Sequence, residues 1–287
     1  MNSIIVRANA KINLSIDIVG KREDGYHLLK SIMQTVSLFD KITMNFEGEG
    51  VEAKCSLPFL PVDDRNLAVR AAKAFLEAAD IKTGVSMYIK KVIPIGGGLG
   101  GGSTDAAAVL NALNRVYKDA LPKEKLFEIA LSCGADVPFC MQGGTCLCEG
   151  VGEVLTPLAD MPDCYITIVK PAFSVSTKGV YQVFDINKIT QRPHTDEMIK
   201  ALEDSDLNAL CGGMYNVLEP VVSAKHHRIT KYRGILAEEG ALGTLMSGSG
   251  STVFGIFDSE EKAENARQRF KKMHIASYIA KPVSRIF

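Results

Sequence analysis

The sequence lacks an excess of either charge. Its 33 Lys and Arg balance 33 Asp and Glu, so there is no general electrostatic pull toward nucleic acid or an anionic membrane surface. It has seven cysteines but no C-x-x-C pair, and an odd number without that spacing suits neither a disulfide framework nor a common zinc module. Cys146 and Cys148 are one residue apart, which in a strand puts both on one face; buried, reduced thiols are expected. No segment has the roughly 18 consecutive apolar residues of a membrane span. The opening Met1-Asn2-Ser3-Ile4-Ile5-Val6-Arg7 has no basic region followed by a long apolar stretch, and a cytoplasmic protein is expected. There is no internal repeat and no low-complexity tract.

What is present is an apolar content of 46% over 287 residues, enough for a sizeable core in one large domain or two ordinary ones. Ile12, Leu14, Ile16 and Ile18 alternate with Asn13, Ser15 and Asp17, the period of a half-buried strand. Ile42, Met44 and Phe46 repeat the pattern, as do Val85, Met87 and Ile89. A helix between the last two sets carries Leu67, Ala71, Phe75 and Ala78, with Asp63 or Asp64 as its N-cap. Ser103 is expected to cap a helix that includes Ala106, Val109, Leu110 and Leu113. Pro122 and Gly134 frame another, with Leu126, Ile129 and Ala130 inward, and a strand-like stretch follows over 143–150. A polar, proline-marked segment at 158–163 places a boundary there. Beyond it the pattern predicts strands at 165–169, 242–246, 253–257 and 276–280, and helices at 196–202, 221–239 and 260–273. Such mixing indicates an α+β second domain.

Gly96-Gly97-Gly98-Leu99-Gly100-Gly101-Gly102 holds six glycines in seven residues, unsuited to a helix or strand interior. Between a strand pattern and a helix start, these glycines offer unpaired N–H groups and a partial positive charge to a polyphosphate. The letters also contain G-x-G-x-x-G, but a dinucleotide fold needs a second strand ending in an acidic residue, and the segment from Pro122 to Cys133 reads as helix. No lysine precedes Ser103, so the P-loop string is absent, and so are the H-R-D and D-F-G elements of protein kinases.

Pro94-Ile95-Gly96-Gly97-Gly98-Leu99-Gly100-Gly101-Gly102-Ser103-Thr104 resembles the second motif of the GHMP kinases, named for galactokinase, homoserine, mevalonate and phosphomevalonate kinases. Ala10-Lys11-Ile12-Asn13-Leu14 resembles their first motif. Leu245-Met246-Ser247-Gly248-Ser249-Gly250-Ser251-Thr252-Val253-Phe254 resembles their third, a second glycine loop that closes against the phosphate site. Two further strings, Lys21-Arg22-Glu23-Asp24-Gly25-Tyr26-His27-Leu28-Leu29 and Gly134-Ala135-Asp136-Val137-Pro138-Phe139, resemble the branch that phosphorylates the 2-hydroxyl of 4-diphosphocytidyl-2-C-methyl-D-erythritol, in the non-mevalonate route to isoprenoids.

The resemblance implies an α+β, two-domain GHMP kinase fold. It comprises a ribosomal-protein-S5-like ATP domain at 1–157 and a ferredoxin-like α/β sandwich at 158–287 that binds substrate. It implies ATP on the loop from Pro94 to Thr104, with Asn66 near the adenine. Lys11 and Asp136 match the catalytic pair. A carboxylate must take the proton of a weakly nucleophilic tertiary alcohol as the phosphoryl group arrives, and a neighbouring ammonium keeps that carboxylate ionised. Tyr26 and His27 match the first aromatic and the histidine of a cytosine clamp, and Tyr181 stands where relatives often have Phe. Thr177 matches a substrate-contacting threonine, and Asn13 a residue near the methylerythritol hydroxyls. Magnesium should accompany ATP, with Ser103 a candidate ligand; no acidic pair stands out as its carboxylate partner. The implied partner is the small-molecule substrate, with no nucleic acid or membrane, in a monomer or homodimer. Two rival functions are a kinase of the same superfamily acting on mevalonate or homoserine, and a nucleotide-binding protein without catalysis.

Overall fold

The computed structural model describes residues 3–23 and 25–285. Met1 and Asn2 of the opening string, Asp24 of the Asp-Gly-Tyr-His string, and Ile286 and Phe287 lie outside the described residues. The chain runs β1 (Ser3–Asn13), β2 (Asp17–Lys21), β3 (His27–Asn45), β4 (Val51–Cys55), α1 (Leu67–Ala78), β5 (Val85–Lys90) and α2 (Gly101–Val116). It continues through α3 (Lys123–Cys133), α4 (Val137–Gln142), β6 (Thr145–Gly150), β7 (Val154–Pro157), β8 (Tyr165–Lys170) and α5 (Thr177–Val183). Then come α6 (Thr195–Glu203), α7 (Leu207–Gly213), α8 (Glu219–Ser223), α9 (Arg228–Glu238), β9 (Gly243–Met246), β10 (Val253–Phe257), α10 (Glu260–Lys272) and β11 (Ala276–Ala280). The residues group into two compact units, one of Met1–Ala10, Phe39–Ile93 and Gly100–Gln142, the other of Lys11–Leu38, Pro94–Leu99 and Gly143–Phe287.

In the first unit β4 runs parallel to β5, and β5 pairs antiparallel with residues 41–45 of β3. The alternation expected of β5 holds, with Val85, Met87 and Ile89 buried between more exposed neighbours. Helix α1 packs on α2; α1 buries Ala68, Ala71 and Ala72, and α2 buries Ala106 and Ala107. Small side chains let two helix axes come close, and Phe75 and Leu113 are fully buried as well. Emptying the Phe75 site by truncation to alanine would cost about 3–5 kcal/mol. Neither Asp63 nor Asp64 caps α1: the N-cap is Asn66, whose side-chain oxygen accepts from Ala68 N at 3.0 Å. The Asp63 carboxylate binds Arg65 instead. Helix α3 starts after Pro122 and ends at Gly134, as expected.

In the second unit residues 29–34 of β3 pair antiparallel with β6, and β6 pairs with β7. A separate antiparallel sheet has the order β11-β8-β10-β9, that is 4-1-3-2 in chain order, with α10 packed on β8 and β11 and α9 on β9 and β10. Its core gathers Val169, Phe257, Phe270, Tyr232 and Leu236. Two expectations fail here. The alternating run from Ile12 to Ile18 is two strands with a break between them, and Asn13, Ser15 and Asp17 are buried as well as the apolar residues. These polar groups find distant partners: Ser31, the backbone of Ile32, and Arg192. The helix expected over 221–239 is broken between α8 and α9, where the His226 ring stacks on Phe173 at 4.3 Å.

Candidate active site

The glycine-rich loop belongs to both units by sequence. In the second unit, Gly96 and Gly98 have φ of 62° and 77°, which L side chains rarely adopt. A Cβ on Gly98 would sit 2.3 Å from the Ser247 carbonyl oxygen, and one on Gly97 would sit 2.3 Å from Thr252 Oγ1. The carbonyls of three successive residues are turned into the protein: Gly97 O accepts from Thr252 N, Gly98 O from Ser247 Oγ, and Leu99 O from Lys11 N. Carbonyl dipoles committed in this way no longer point at an anion, so the loop is electrostatically prepared for phosphate.

In the first unit, α2 begins three residues earlier than expected. Gly100, left-handed at φ 70°, is the N-cap, and Ser103 lies within the first turn instead of capping it. The N–H groups of Gly101, Gly102 and Ser103 therefore belong to a helix start, where no intrahelical acceptor exists. Thr104, expected at the nucleotide, donates its hydroxyl proton to Asn9 O at 2.5 Å. The Asn66 amide has both ends engaged, accepting from Ala68 N and donating to Pro61 O. Asp136 is half-buried immediately before α4, and its carbonyl accepts from Cys140 N at 3.0 Å.

Behind this helix start lies a charge cluster that no sequence motif marked. Lys91 Nζ is 2.6 Å from Asp105 Oδ2, also pairs with Asp40, and reaches Gly101 O at 3.3 Å. The three side chains are 6%, 5% and 0% exposed. Asp40 Oδ1 also accepts from the backbone of Val92 and Ile93, tying the exit of β5 to the α2 start. Burial pushes the Asp105 carboxyl up to about 7; Lys91 opposes this and Asp40 adds to it. Burial alone would lower the Lys91 value, but Asp105 and Asp40 outweigh it and raise it. The available signal was helical spacing: Asp105 lies four residues before Val109, on the buried face of α2.

The second unit holds the other candidate residues. Lys11 is a buried lysine, 3% exposed, and donates to Asn13 Oδ1 at 2.7 Å. Asn13 Nδ2 donates to Ser31 Oγ, and Asn13 N donates to Ser247 Oγ. Elsewhere in this unit the His27 ring lies 5.3 Å from Tyr181 and 5.8 Å from Phe184, the latter edge-on. Tyr26 precedes His27 in sequence and has 65% of its surface exposed. Burial, then the charge of Lys21, lowers the His27 value, so at neutral pH its imidazole is uncharged and can donate from one nitrogen and accept at the other. Thr177 opens α5 and shares a hydrogen bond with Ser249 at 2.8 Å. Lys11 and Asp136 fall in different units. Phe184 was not anticipated; only its place three residues beyond Tyr181 on the same short helix segment hinted at it.

The loop conformation and the helix start each suit an anion. For a divalent cation the chain offers less. Among the described residues no group of three or more His, Cys, Asp or Glu is placed to hold a metal, and none of the seven cysteines forms a disulfide. Ser103 would be one protein ligand, with phosphate oxygens and water completing the shell, the usual manner for magnesium. No helix among the described residues is long and apolar enough to cross a membrane.

Comparison with known proteins identifies the family. A family profile described as "GHMP kinases N terminal domain" matches residues 66–144, and one described as "GHMP kinases C terminal" matches residues 198–276. A 4-diphosphocytidyl-2-C-methyl-D-erythritol kinase of Clostridium botulinum (strain Eklund 17B / Type B) is 44% identical over 278 residues, 97% of this chain and 99% of the relative. A crystal structure of a 4-(cytidine 5'-diphospho)-2C-methyl-D-erythritol kinase superposes with a TM-score of 0.84 at 33% identity, covering 97% of this chain and 99% of that one. Homoserine kinase from Cytophaga hutchinsonii, at 21% identity and a TM-score of 0.79 over 99% of this chain and 96% of its own, shares the fold.

Proposed function

This chain belongs to the 4-diphosphocytidyl-2-C-methyl-D-erythritol kinases of the GHMP family, and on that premise we propose how its residues divide the work. The protein is an ATP-dependent kinase that phosphorylates 4-diphosphocytidyl-2-C-methyl-D-erythritol in isoprenoid biosynthesis. The loop from Pro94 to Leu99 and the helix start at 100–104 hold the triphosphate, with Ser103 at a magnesium ion. Asn66 serves the adenine side from its place at the head of α1, and Thr104 acts by fixing the helix start to Asn9. Tyr26 and Tyr181 take the cytosine ring between them while His27 reads its polar edge. Asn13 and Thr177 contact the remainder of the substrate.

In the transfer, Asp136 accepts the proton of the 2-hydroxyl as that oxygen forms its bond to the γ-phosphorus. The bond from this phosphorus to the bridging oxygen breaks, and ADP leaves with the electron pair. Lys11 offsets the negative charge that develops. Magnesium, when bound, supplies further charge neutralisation. We assign 1–157 to an ATP-binding N-terminal domain and 158–287 to a substrate-binding C-terminal domain. The protein acts in the cytoplasm on its small-molecule substrate, as a monomer or homodimer, without nucleic acid.

The observation that carries the substrate assignment is the His27–Tyr181 ring pair beside the exposed Tyr26, a clamp that mevalonate or homoserine would leave empty. ADP release from purified protein with ATP and each acceptor tests it. Turnover is expected with the cytidyl substrate alone; turnover of mevalonate or homoserine without it would refute the assignment.

A further inference from the structure

We propose that Asn216 is a positioning residue: its buried side chain sets the second glycine loop, which aligns the phosphate loop with the Lys11–Asn13 pair and with Thr177. The inference rests on the kinase reading above and concerns one part of its machinery.

Asn216 is fully buried, in the turn before α8. Its backbone forms an isolated bridge with Ile16, and both neighbours bond there: Ile16 N donates to Tyr215 O, and Val217 N to Ile16 O. The turn is thus fastened three residues beyond Asn13. Every polar atom of its side chain is engaged. Oδ1 accepts from Leu218 N at 2.9 Å, and Nδ2 donates to Met246 O and Gly248 O, both at 2.8 Å. Glu219 assists by accepting from Met246 N at 2.9 Å.

These two donated bonds decide where Ser247 points. With the carbonyls on both sides of it held by one amide, the Ser247 side chain is turned to the opposite face. There it donates to Gly98 O at 2.9 Å and accepts from Asn13 N at 3.3 Å. Asn13 in turn accepts from Lys11 Nζ. Two residues further along, Ser249 meets Thr177, and Thr252 N bonds Gly97 O. The second glycine loop therefore touches the donor loop, the Lys11–Asn13 pair and the acceptor segment, and Asn216 is the side chain that fixes its shape from behind. Asn216 touches none of the expected ligand groups itself, and no hydrogen bond runs from it to Tyr26, His27 or Tyr181.

The test is Asn216→Ser, whose hydroxyl can still accept from Leu218 N but cannot hold two carbonyls, together with Asn216→Asp, which sets a carboxylate oxygen against them. Both are compared with the wild type for turnover, for CDP binding by calorimetry and for cooperative melting. Displacing reacting groups by an ångström can cost about 100-fold in rate, so Asn216→Ser is expected to lower kcat by about that factor. CDP affinity, set at the aromatic clamp, should stay within about twofold, and Asn216→Asp should lose more. Adding Ser247→Ala to Asn216→Ser should lower kcat little further, because both act through one contact. Three results would each overturn the proposal: a folded Asn216→Ser variant with near-normal kcat, a parallel loss of CDP affinity and kcat, or failure of both Asn216 variants to fold, which would make the residue structural. Wild-type turnover of the cytidyl substrate is measured in the same experiment, so failure of the kinase reading is seen separately.

Discussion

Replacing Asp105 by asparagine should remove a specific pH dependence from the stability of the protein. Asp40, Lys91 and Asp105 form a nearly water-free cluster with two carboxyls to one ammonium. Lys91 Nζ lies against one oxygen of Asp105, and the other oxygen, Oδ1, is buried without a hydrogen-bond partner. An ionised carboxylate in that position carries an uncompensated acceptor, so burial raises its pKa from 3.8 to about 7. Between these two values the folded protein binds a proton that the unfolded chain has released. Stability therefore falls as pH rises through the window, by at most about 1.4 kcal/mol per pH unit. Over the full interval that is about 4 kcal/mol. Asp105 is coupled to the charges beside it, so about 2 kcal/mol between pH 5 and 8 is the expected figure. Asparagine keeps the size and the acceptor for Lys91 but cannot titrate. Urea unfolding of both proteins at about pH 5, 6, 7 and 8 gives the difference directly from midpoint and slope. The wild-type curve should descend relative to the variant across this range. A flat difference would show that Asp105 does not titrate there. A difference rising between pH 3 and 5 would mean an ordinary ion pair with a depressed carboxylate, and would refute the reasoning.

Three further outcomes follow from the site. Asp136→Asn should lower kcat by about two orders of magnitude or more, the usual worth of a general base, while the affinity for an ATP analogue, measured by calorimetry, stays near wild type. Tyr26→Ala should weaken binding of the cytidyl substrate by about 1–3 kcal/mol, the range for stacked bases, read as a rise in Kd with kcat at saturation little changed. Gly98→Ala places a Cβ 2.3 Å from Ser247 O at a φ of 77°. The left-handed conformation alone costs about 1–2 kcal/mol for alanine, so the loop must move; the KM for ATP should rise at least about tenfold, with CDP binding retained.

The parts of the fold that local chemistry determines could be read from the sequence. Val85, Met87 and Ile89 alternate because β5 has one covered face, and Pro122 and Gly134 frame α3 because one suits a helix start and the other lies just past its end. The glycine loop was recognisable because Gly96 and Gly98 take φ of 62° and 77°, which favour glycine, and a Cβ on Gly98 would meet the Ser247 carbonyl. The same reasoning misjudged the run from Ile12 to Ile18. Alternation of polar with apolar residues signals one wet face only when the polar groups have no partners inside. Here Asn13 meets Ser31, Ser15 meets Ile32 and Asp17 meets Arg192, contacts 17 to 175 residues away in the chain. The helix boundaries failed for a related reason: Asn66 took the α1 cap from two aspartates, one of which had Arg65 close at hand.

The candidate site divides along the same line. Residues expected to meet a ligand stand in short strings with uncommon local requirements, as Tyr26-His27 and the six glycines do, and one sequence suffices to find them. Residues that hold these groups in register carry no such string. Lys91 and Asp105 are 14 residues apart, and Asp40 lies in β3 while Lys91 follows the end of β5. Asn216 reaches carbonyls 30 and 32 residues further along the chain. Nothing near Asn216 in sequence distinguishes it from a surface turn asparagine; its burial does, since a buried primary amide that satisfies two carbonyls and one N–H leaves those three groups unpaired when it is removed. A positioning residue of this kind is therefore found by asking which buried polar side chain a ligand-facing loop would miss, and in this protein that question leads to Asn216 behind one glycine loop and to Lys91 behind the other.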